Sequence, residues 1–224
     1  LNNLFYSNLI KEQELSLEGQ EATHCALVLR KIVGDEIFVI DGKGNRYQCQ
    51  IDAVSKKSVN CTIISKEYQE QVERITIAVA PTKNRDRLEW MIEKLVEIGV
   101  KSIVLMNTKN TERSRTNMER IDKKVLSAVK QSLRFYIPEV KEMNYADVLQ
   151  MNYASKHIAH CFNGQPKFSK TDQNTEQLLL IGPEGDFTES ELKQAFEAGF
   201  KGLDLGAFRL RTETAAIVAA VKFQ

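Results

Sequence analysis

Residues 178 to 220, LLLIGPEGDFTESELKQAFEAGFKGLDLGAFRLRTETAAIVAA, restrict what this chain can fold into more than any other stretch. They spell strand, turn and helix twice in succession. Leu178-Leu179-Leu180-Ile181 is an apolar run of the length expected for a strand buried on both faces. Gly182-Pro183-Glu184-Gly185 ends it, with two glycines supplying unusual backbone angles and Pro183 fixing one. Thr188-Glu189-Ser190-Glu191 reads as a capping box with Thr188 at the N-cap. Leu192, Ala195 and Phe196 give that helix a buried stripe, and Gly199 stops it. Leu203-Asp204-Leu205 then runs to Gly206, and after Ala207-Phe208-Arg209-Leu210-Arg211 the sequence predicts that Thr212 caps a final apolar helix.

Two glycine-marked loops at successive strand ends point to a ligand crevice at the carboxyl edge of an α/β sheet. A phosphate cradle needs glycines and a cation. The first loop has Glu184 and Asp186 and neither Lys nor Arg, so it suits a cationic ligand with a ribose and an adenine edge better than a polyphosphate. That combination describes S-adenosylmethionine. The turn-glycine alternative stays open for Gly182 and Gly185, and Glu184 can equally cap the backbone donors of Asp186 and Phe187.

The region before this one alternates strand and helix patterns from Arg74 on. Ile75 to Ala80 reads as a strand ending at Pro81. Arg87 to Ile98 carries a helical stripe stopped by Gly99, with Trp90 taken as core rather than as a base-stacking platform. Ile103 to Met106 is a second strand. Asn117 to Phe135 is a helix with Ile121, Val125, Ala128, Val129 and Leu133 inward, and His157 to Phe162 is a third strand. The spacing predicts a mostly parallel sheet with helices on both faces. Residues 1 to 70 look all-β instead. Leu27-Val28-Leu29 and Glu36 to Ile40 are apolar runs, Asp41-Gly42-Lys43-Gly44 is a tight turn, Arg46 to Ile51 alternates, and Val59 to Ile64 adds a strand. The sequence thus predicts a small barrel over residues 1–70 and an α/β domain over 71–224.

Net charge is +1, so charge matters here only through its distribution. Between Lys109 and Arg134 stand eight basic residues (Lys109, Arg113, Arg115, Arg120, Lys123, Lys124, Lys130, Arg134) against Glu112, Glu119 and Asp122. The run is either a phosphate-contacting face or a solvated helix face. The four cysteines form no CxxC pair and there are three histidines, which argues against a zinc site and for reduced thiols. His24, His157 and His160 read as packing or surface residues. No apolar run is long enough to span a membrane and no signal-peptide pattern opens the chain, so a cytoplasmic location is expected.

The motif Ile181-Gly182-Pro183-Glu184-Gly185, followed by Leu205-Gly206 and Leu210-Arg211-Thr212-Glu213-Thr214-Ala215, resembles the C-terminal motifs of the RsmE family. These are 16S ribosomal RNA uridine N3-methyltransferases of the SPOUT superfamily. His24 with Val28-Leu29-Arg30, Glu93 to Val100, Thr111-Glu112-Arg113-Ser114 and Gln131-Ser132-Leu133-Arg134 agree, so the resemblance spans nearly the whole chain. It implies a PUA-like RNA-binding β-barrel followed by a SPOUT domain with a deep trefoil knot, and a homodimer with its active site at the subunit interface. It also implies S-adenosylmethionine as cofactor and 16S rRNA in the small ribosomal subunit as partner. Two features depart from the family pattern: Asp186 stands where a third glycine is usual, and Ala207-Phe208 precedes Arg209.

The expected donor-binding residues are Leu180, Ile181, Gly182, Pro183, Gly185, Leu205, Gly206, Leu210 and Thr212. Uridine N3 must lose its imide proton before attack, which requires a base or a cation that stabilises the anion over N3, O2 and O4. Glu184 and Glu213 are the carboxylate candidates, Arg113 and Arg211 the cation candidates, and Arg-assisted deprotonation is favoured. RNA contacts are expected from His24, Arg30, Arg115, Arg120, Lys124 and Arg134. Two other readings compete. A non-catalytic RNA-binding protein would bind RNA without S-adenosylmethionine, and a flavodoxin-like nucleotide-binding enzyme would bind a phosphorylated cofactor.

Overall fold

The computed structural model describes residues 4–112, 116–162 and 175–223. The chain forms two compact units, Leu1–Val72 with Leu126–Ile137 and Glu73–Val125 with Pro138–Gln224.

The first unit is built on a mixed six-stranded sheet in the order β1-β4-β5-β6-β3-β2. Its strands are β1 (Leu4–Tyr6), β2 (Leu9–Lys11), β3 (Glu14–Glu18), β4 (Glu36–Ile40), β5 (Asn45–Val54) and β6 (Ser58–Tyr68), with helix α1 (Gly19–Thr23) after β3. All pairs are antiparallel except β1 with β4. The alternation read along Arg46–Ile51 is present: Tyr47, Cys49 and Ile51 point into a core with Phe5, Leu17, Ile37, Val39 and Val59. The turn Asp41–Gly44 joins β4 to β5 as the sequence predicts. Gly44 has φ +100°, and a Cβ there would lie 2.3 Å from the Tyr136 hydroxyl, so only glycine serves.

The second unit is an all-parallel sheet in the order β12-β10-β11-β7-β8-β9. Its strands are β7 (Ile75–Val79), β8 (Ser102–Asn107), β9 (Glu139–Asn144), β10 (Ser155–Ala159), β11 (Gln177–Ile181) and β12 (Lys201–Leu203). Every residue of β7 and β11 is buried, as strands covered on both faces require. Leu178 and Leu180 face a core shared with α4 (Tyr145–Leu149) and α5 (Glu189–Glu197). On the other face α6 (Thr212–Lys222) packs against β7, β11 and α2 (Arg85–Ile98). The buried residues of α6 are mostly alanines, which lets the helix approach the sheet closely. Gly99 (φ +100°) ends α2 in the left-handed conformation. Among the described residues no helix is long and apolar enough to cross a membrane.

Several expectations need correction. Leu27-Val28-Leu29 is not a strand: α1 continues as a π-helical turn over His24–Val28. Ala22 and Cys25, three residues apart, supply the buried face of that turn, and Leu27 and Val28 are turned to solvent. Trp90 is 47% exposed rather than core, because Leu88, Met91, Ile92, Leu95 and Val96 define the inward face of α2. Helix α3 (Met118–Gln131) stops before Leu133, which lies outside the helix at φ +57° and is exposed. Thr212 is the first residue of α6 and not its cap; Arg211 holds the N-cap position. Strand β9 and helix α4 lacked an apolar run long enough to be read, and β9 tolerates charge because it is a sheet edge.

Helix α5 carries the capping box in full. Thr188 Oγ1 accepts from the Glu191 amide (3.3 Å) and the Glu191 carboxylate accepts from the Thr188 amide (2.8 Å). Thr188→Ala is expected to lower the unfolding free energy by about 1 kcal/mol in a denaturant titration. His157 gives a second expectation. It is buried on β10 beside the Phe223 ring, and burial, reinforced by Lys201, pushes its imidazole down to about 4. Its unfolded value is 6.5, so the unfolded chain binds the extra proton between these limits. Stability should therefore fall by up to about 3 kcal/mol as pH drops from 6.5 toward 4. In His157→Gln this component of the pH dependence should vanish.

Candidate active site

Strands β12, β10 and β11 lie side by side and parallel, so their carboxyl ends open on the same edge of the sheet. The loops that leave those ends enclose a cleft of about 540 Å³. This is the edge where ligands bind in open parallel sheets, and the size suits a small molecule. His160 and Cys161 come from the end of β10, Ile181 to Glu184 and Asp186 from β11, and residues 203–212 from β12 and the loop after it.

Each loop is shaped by its own hydrogen bonds. After β11 the chain turns tightly, with the Asp186 amide donating to Pro183 O (2.9 Å). Gly182 is closely packed: a Cβ would sit 3.0 Å from the buried Phe187 ring, which would have to give by a few tenths of an ångström to admit it. Asp186 takes the left-handed conformation (φ +61°). Its carboxylate accepts from the Cys161 amide (2.8 Å) and from the Phe187 amide (2.8 Å). After β12, Gly206 (φ +122°) donates its amide to Asp204 Oδ1 (3.0 Å), and Lys222 Nζ donates to Asp204 O (2.8 Å).

The two glycine loops are also tied to each other. Thr212 Oγ1 donates to Gly182 O (3.0 Å), a buried bond that fixes the start of α6 against the β11 loop. Arg209 Nη2 donates to Glu184 O (3.2 Å). The cation missing from the first loop is therefore supplied by the second. Among the described residues, Glu184, Asp186 and Asp204 line the cleft together with Arg209 and Arg211, and no lysine does. Ile181, Leu203, Leu205, Leu210 and Ala215 provide an apolar wall. An apolar wall with turned backbone edges and more carboxylates than cations fits a nucleoside bearing a positive charge, and a polyphosphate poorly.

The structure brings together Ile181, Gly182, Pro183, Glu184, Leu205, Gly206, Leu210, Arg211 and Thr212 in this cleft. Leu180 points away from it into the core, and Gly185 serves the turn behind it, against Asn110. Glu213 does not line it. Its carboxylate is buried (7% exposed residue) and faces Arg87 of α2 at 3.9 Å. Arg113 and Arg115 lie outside the described residues. His160, Cys161 and Arg209 line the cleft although the sequence reading did not select them. A strand ending at Ala159 rather than Phe162 would have exposed the first two as loop residues.

Much of the basic run is occupied internally. Arg120 grips Glu89 through Nε and Nη2 (2.9 Å for the latter), and that contact holds the buried Glu89 carboxyl below its usual range. Lys124 pairs with Glu93 at 3.2 Å, Lys123 with Glu119 at 2.6 Å and Lys130 with Glu21 at 2.6 Å. Arg134 follows α3 and is half-buried. In the first unit, His24 packs its ring 5.8 Å from Phe5, and Arg30 is exposed at φ +54°.

Residues 69–224 match a family model described as an RNA methyltransferase domain, and residues 17–64 one described as an RNA methyltransferase PUA domain. The ribosomal RNA small subunit methyltransferase E of Rickettsia conorii is 30% identical over 95% of this chain and 90% of its own. A crystal structure of a probable rRNA-methyltransferase from Porphyromonas gingivalis is 37% identical, with a TM-score of 0.88 over 98% of this chain and 95% of the other. The ribosomal RNA small subunit methyltransferase E of Neisseria gonorrhoeae, crystallised bound to S-adenosyl methionine, is 29% identical, with a TM-score of 0.86 over the same shares. From matches running through both units, the chain belongs to the ribosomal RNA small subunit methyltransferase E family.

Proposed function

We propose that this protein transfers a methyl group from S-adenosylmethionine to N3 of a uridine in 16S rRNA, acting on the small ribosomal subunit. The observation that carries the reading is the cleft at the ends of β12, β10 and β11, with its carboxylates, glycine turns and two arginines. In this reading the first unit is a PUA-like RNA-binding barrel and the second a SPOUT domain whose chain is knotted around the donor site. The enzyme works in the cytoplasm as a homodimer.

Bound S-adenosylmethionine supplies a methyl group already made electrophilic by its sulfonium, so this chain's task is to hold, orient and exclude water. Ile181, Leu205 and Leu210, which line the cleft, would hold the adenosine. Gly182, Pro183 and Gly206 offer backbone groups at close range, with Gly185 setting the turn and Leu180 the strand behind it. Thr212 keeps the wall closed through its bond to Gly182 O. Glu184, which is exposed on the rim, receives the N3 proton in this reading. Arg211, exposed at the N-cap of α6, faces the cleft and stabilises the uridine anion on O2 or O4. Arg113 shares that work. Glu213 acts at one remove: by pairing with Arg87 it anchors the first turn of α6, which carries Arg211.

The rRNA is held through His24, Arg30, Arg115 and Arg134. Arg120 contributes less to it, because moving it toward a phosphate would leave the buried Glu89 with the longer Arg85 contact at 3.6 Å, whereas Lys124 can turn to a phosphate while Glu93 keeps Lys94 at 2.9 Å.

Incubation of the protein and labelled donor with small ribosomal subunits should place the label on a single uridine of 16S rRNA. Label on protein alone, or none, would refute the assignment. In the same assay Arg211→Ala and Arg113→Ala should each lower turnover by more than about tenfold, a loss above about 1.4 kcal/mol. Turnover within tenfold of wild type in both variants would exclude arginine-assisted deprotonation.

A further inference from the structure

We infer that Asp186 is a positioning residue for the donor site, a clasp whose carboxylate joins the loops after β10 and β11 into one cleft wall before the donor arrives. The inference rests on reading this cleft as the donor site.

Asp186 commits every polar group it has. Its amide donates to Pro183 O (2.9 Å) and closes the turn. Its carbonyl accepts from Asn110 Nδ2 (3.0 Å), which secures the turn from the β8 side. One carboxylate oxygen accepts from the next amide, Phe187 (2.8 Å), and the other from the Cys161 amide (2.8 Å), 25 residues away in the chain. The last bond is the one that matters. Strand pairing between β10 and β11 ends at Ala159 with Ile181, so the residues beyond belong to loops that no ladder holds together. The carboxylate extends that contact past the end of the sheet, into the cleft that both loops line.

The backbone at this position has φ +61°, a conformation glycine adopts without strain and aspartate tolerates. A glycine would form the turn equally well but would leave the Cys161 amide without this acceptor. Hydrogen bonds from amides to a carboxylate are stronger than neutral ones, and a wall fixed in advance spares the ligand the cost of ordering it. The clasp therefore acts on affinity for the donor more than on the chemical step.

The test titrates S-adenosylhomocysteine calorimetrically into the full-length wild type, Asp186→Asn and Asp186→Gly, and measures KM for S-adenosylmethionine and kcat on small subunits. Asparagine keeps the tolerance for a left-handed backbone and one acceptor oxygen; glycine keeps neither acceptor. Affinity should fall about threefold in Asp186→Asn and about tenfold in Asp186→Gly, with the rise in KM exceeding the fall in kcat. Amide exchange at Cys161 should accelerate in the glycine variant. If Asp186→Gly fails to fold, the threefold loss in Asp186→Asn decides alone. Binding within about twofold of wild type in either folded variant, or equal losses in kcat and kcat/KM, would overturn the clasp and leave the donor site standing. Failure of the wild type to bind S-adenosylhomocysteine would overturn both.

Discussion

Strand β11 pairs in parallel with β7 on one side and β10 on the other, and all five of its residues are buried. Leu178 and Leu180 face the α4–α5 core, while Gln177, on the α6 side, donates to Phe223 O (3.1 Å). A one-residue slip would exchange these faces and put Gln177 into the leucine core. The register is thus fixed from both sides, and with it the point where the strand gives way to Gly182. Everything in the cleft is referred to that point. Thr212 binds Gly182 O, Arg209 binds Glu184 O, and the Asp186 carboxylate reaches the Cys161 amide.

The parts of the fold that were legible in the sequence are those where one local rule acts alone. The β11 run, the Thr188 capping box and the Gly99 stop each depend on a few neighbouring residues, and each stands where the pattern puts it. The misread parts are those where tertiary packing chose between local options. Leu27-Val28-Leu29 is apolar and strand-like, yet the core takes Ala22 and Cys25 from a helical turn and leaves Leu27 and Val28 outside. Thr212 looks like a cap, but its hydroxyl is spent on Gly182 O, thirty residues upstream. Trp90 resembles core by composition and lies off the stripe by one position.

The site follows the same division. The glycine loops announced themselves because turns need particular residues. His160, Cys161 and Arg209 did not, because nothing near them in sequence reveals that β10 ends beside β11 or that an arginine 25 residues on reaches Glu184 O. Glu213 illustrates the converse. It stands two residues from Arg211 in a motif-like run, but the first turn of α6 directs it to Arg87. The basic run from Lys109 to Arg134 was a face on paper; in the fold, Arg120, Lys123, Lys124 and Lys130 meet carboxylates. Charge counts along a chain overstate what remains for a nucleic acid.

What distinguishes a methyl-donor cleft from a nucleotide-phosphate cleft is the sign of the charge that its turns are built to accept. Glu184, Asp186 and Asp204 stand against Arg209 and Arg211, and the Arg209 guanidinium is already engaged with a backbone carbonyl. A crystal grown with S-adenosylhomocysteine and a tenfold excess of ATP is the most direct arbiter. Electron density for the thioether nucleoside is expected between the Gly182 turn and residues 205–211. Density for ATP phosphates in that place, or turns closed on each other with no ligand between them, would contradict it.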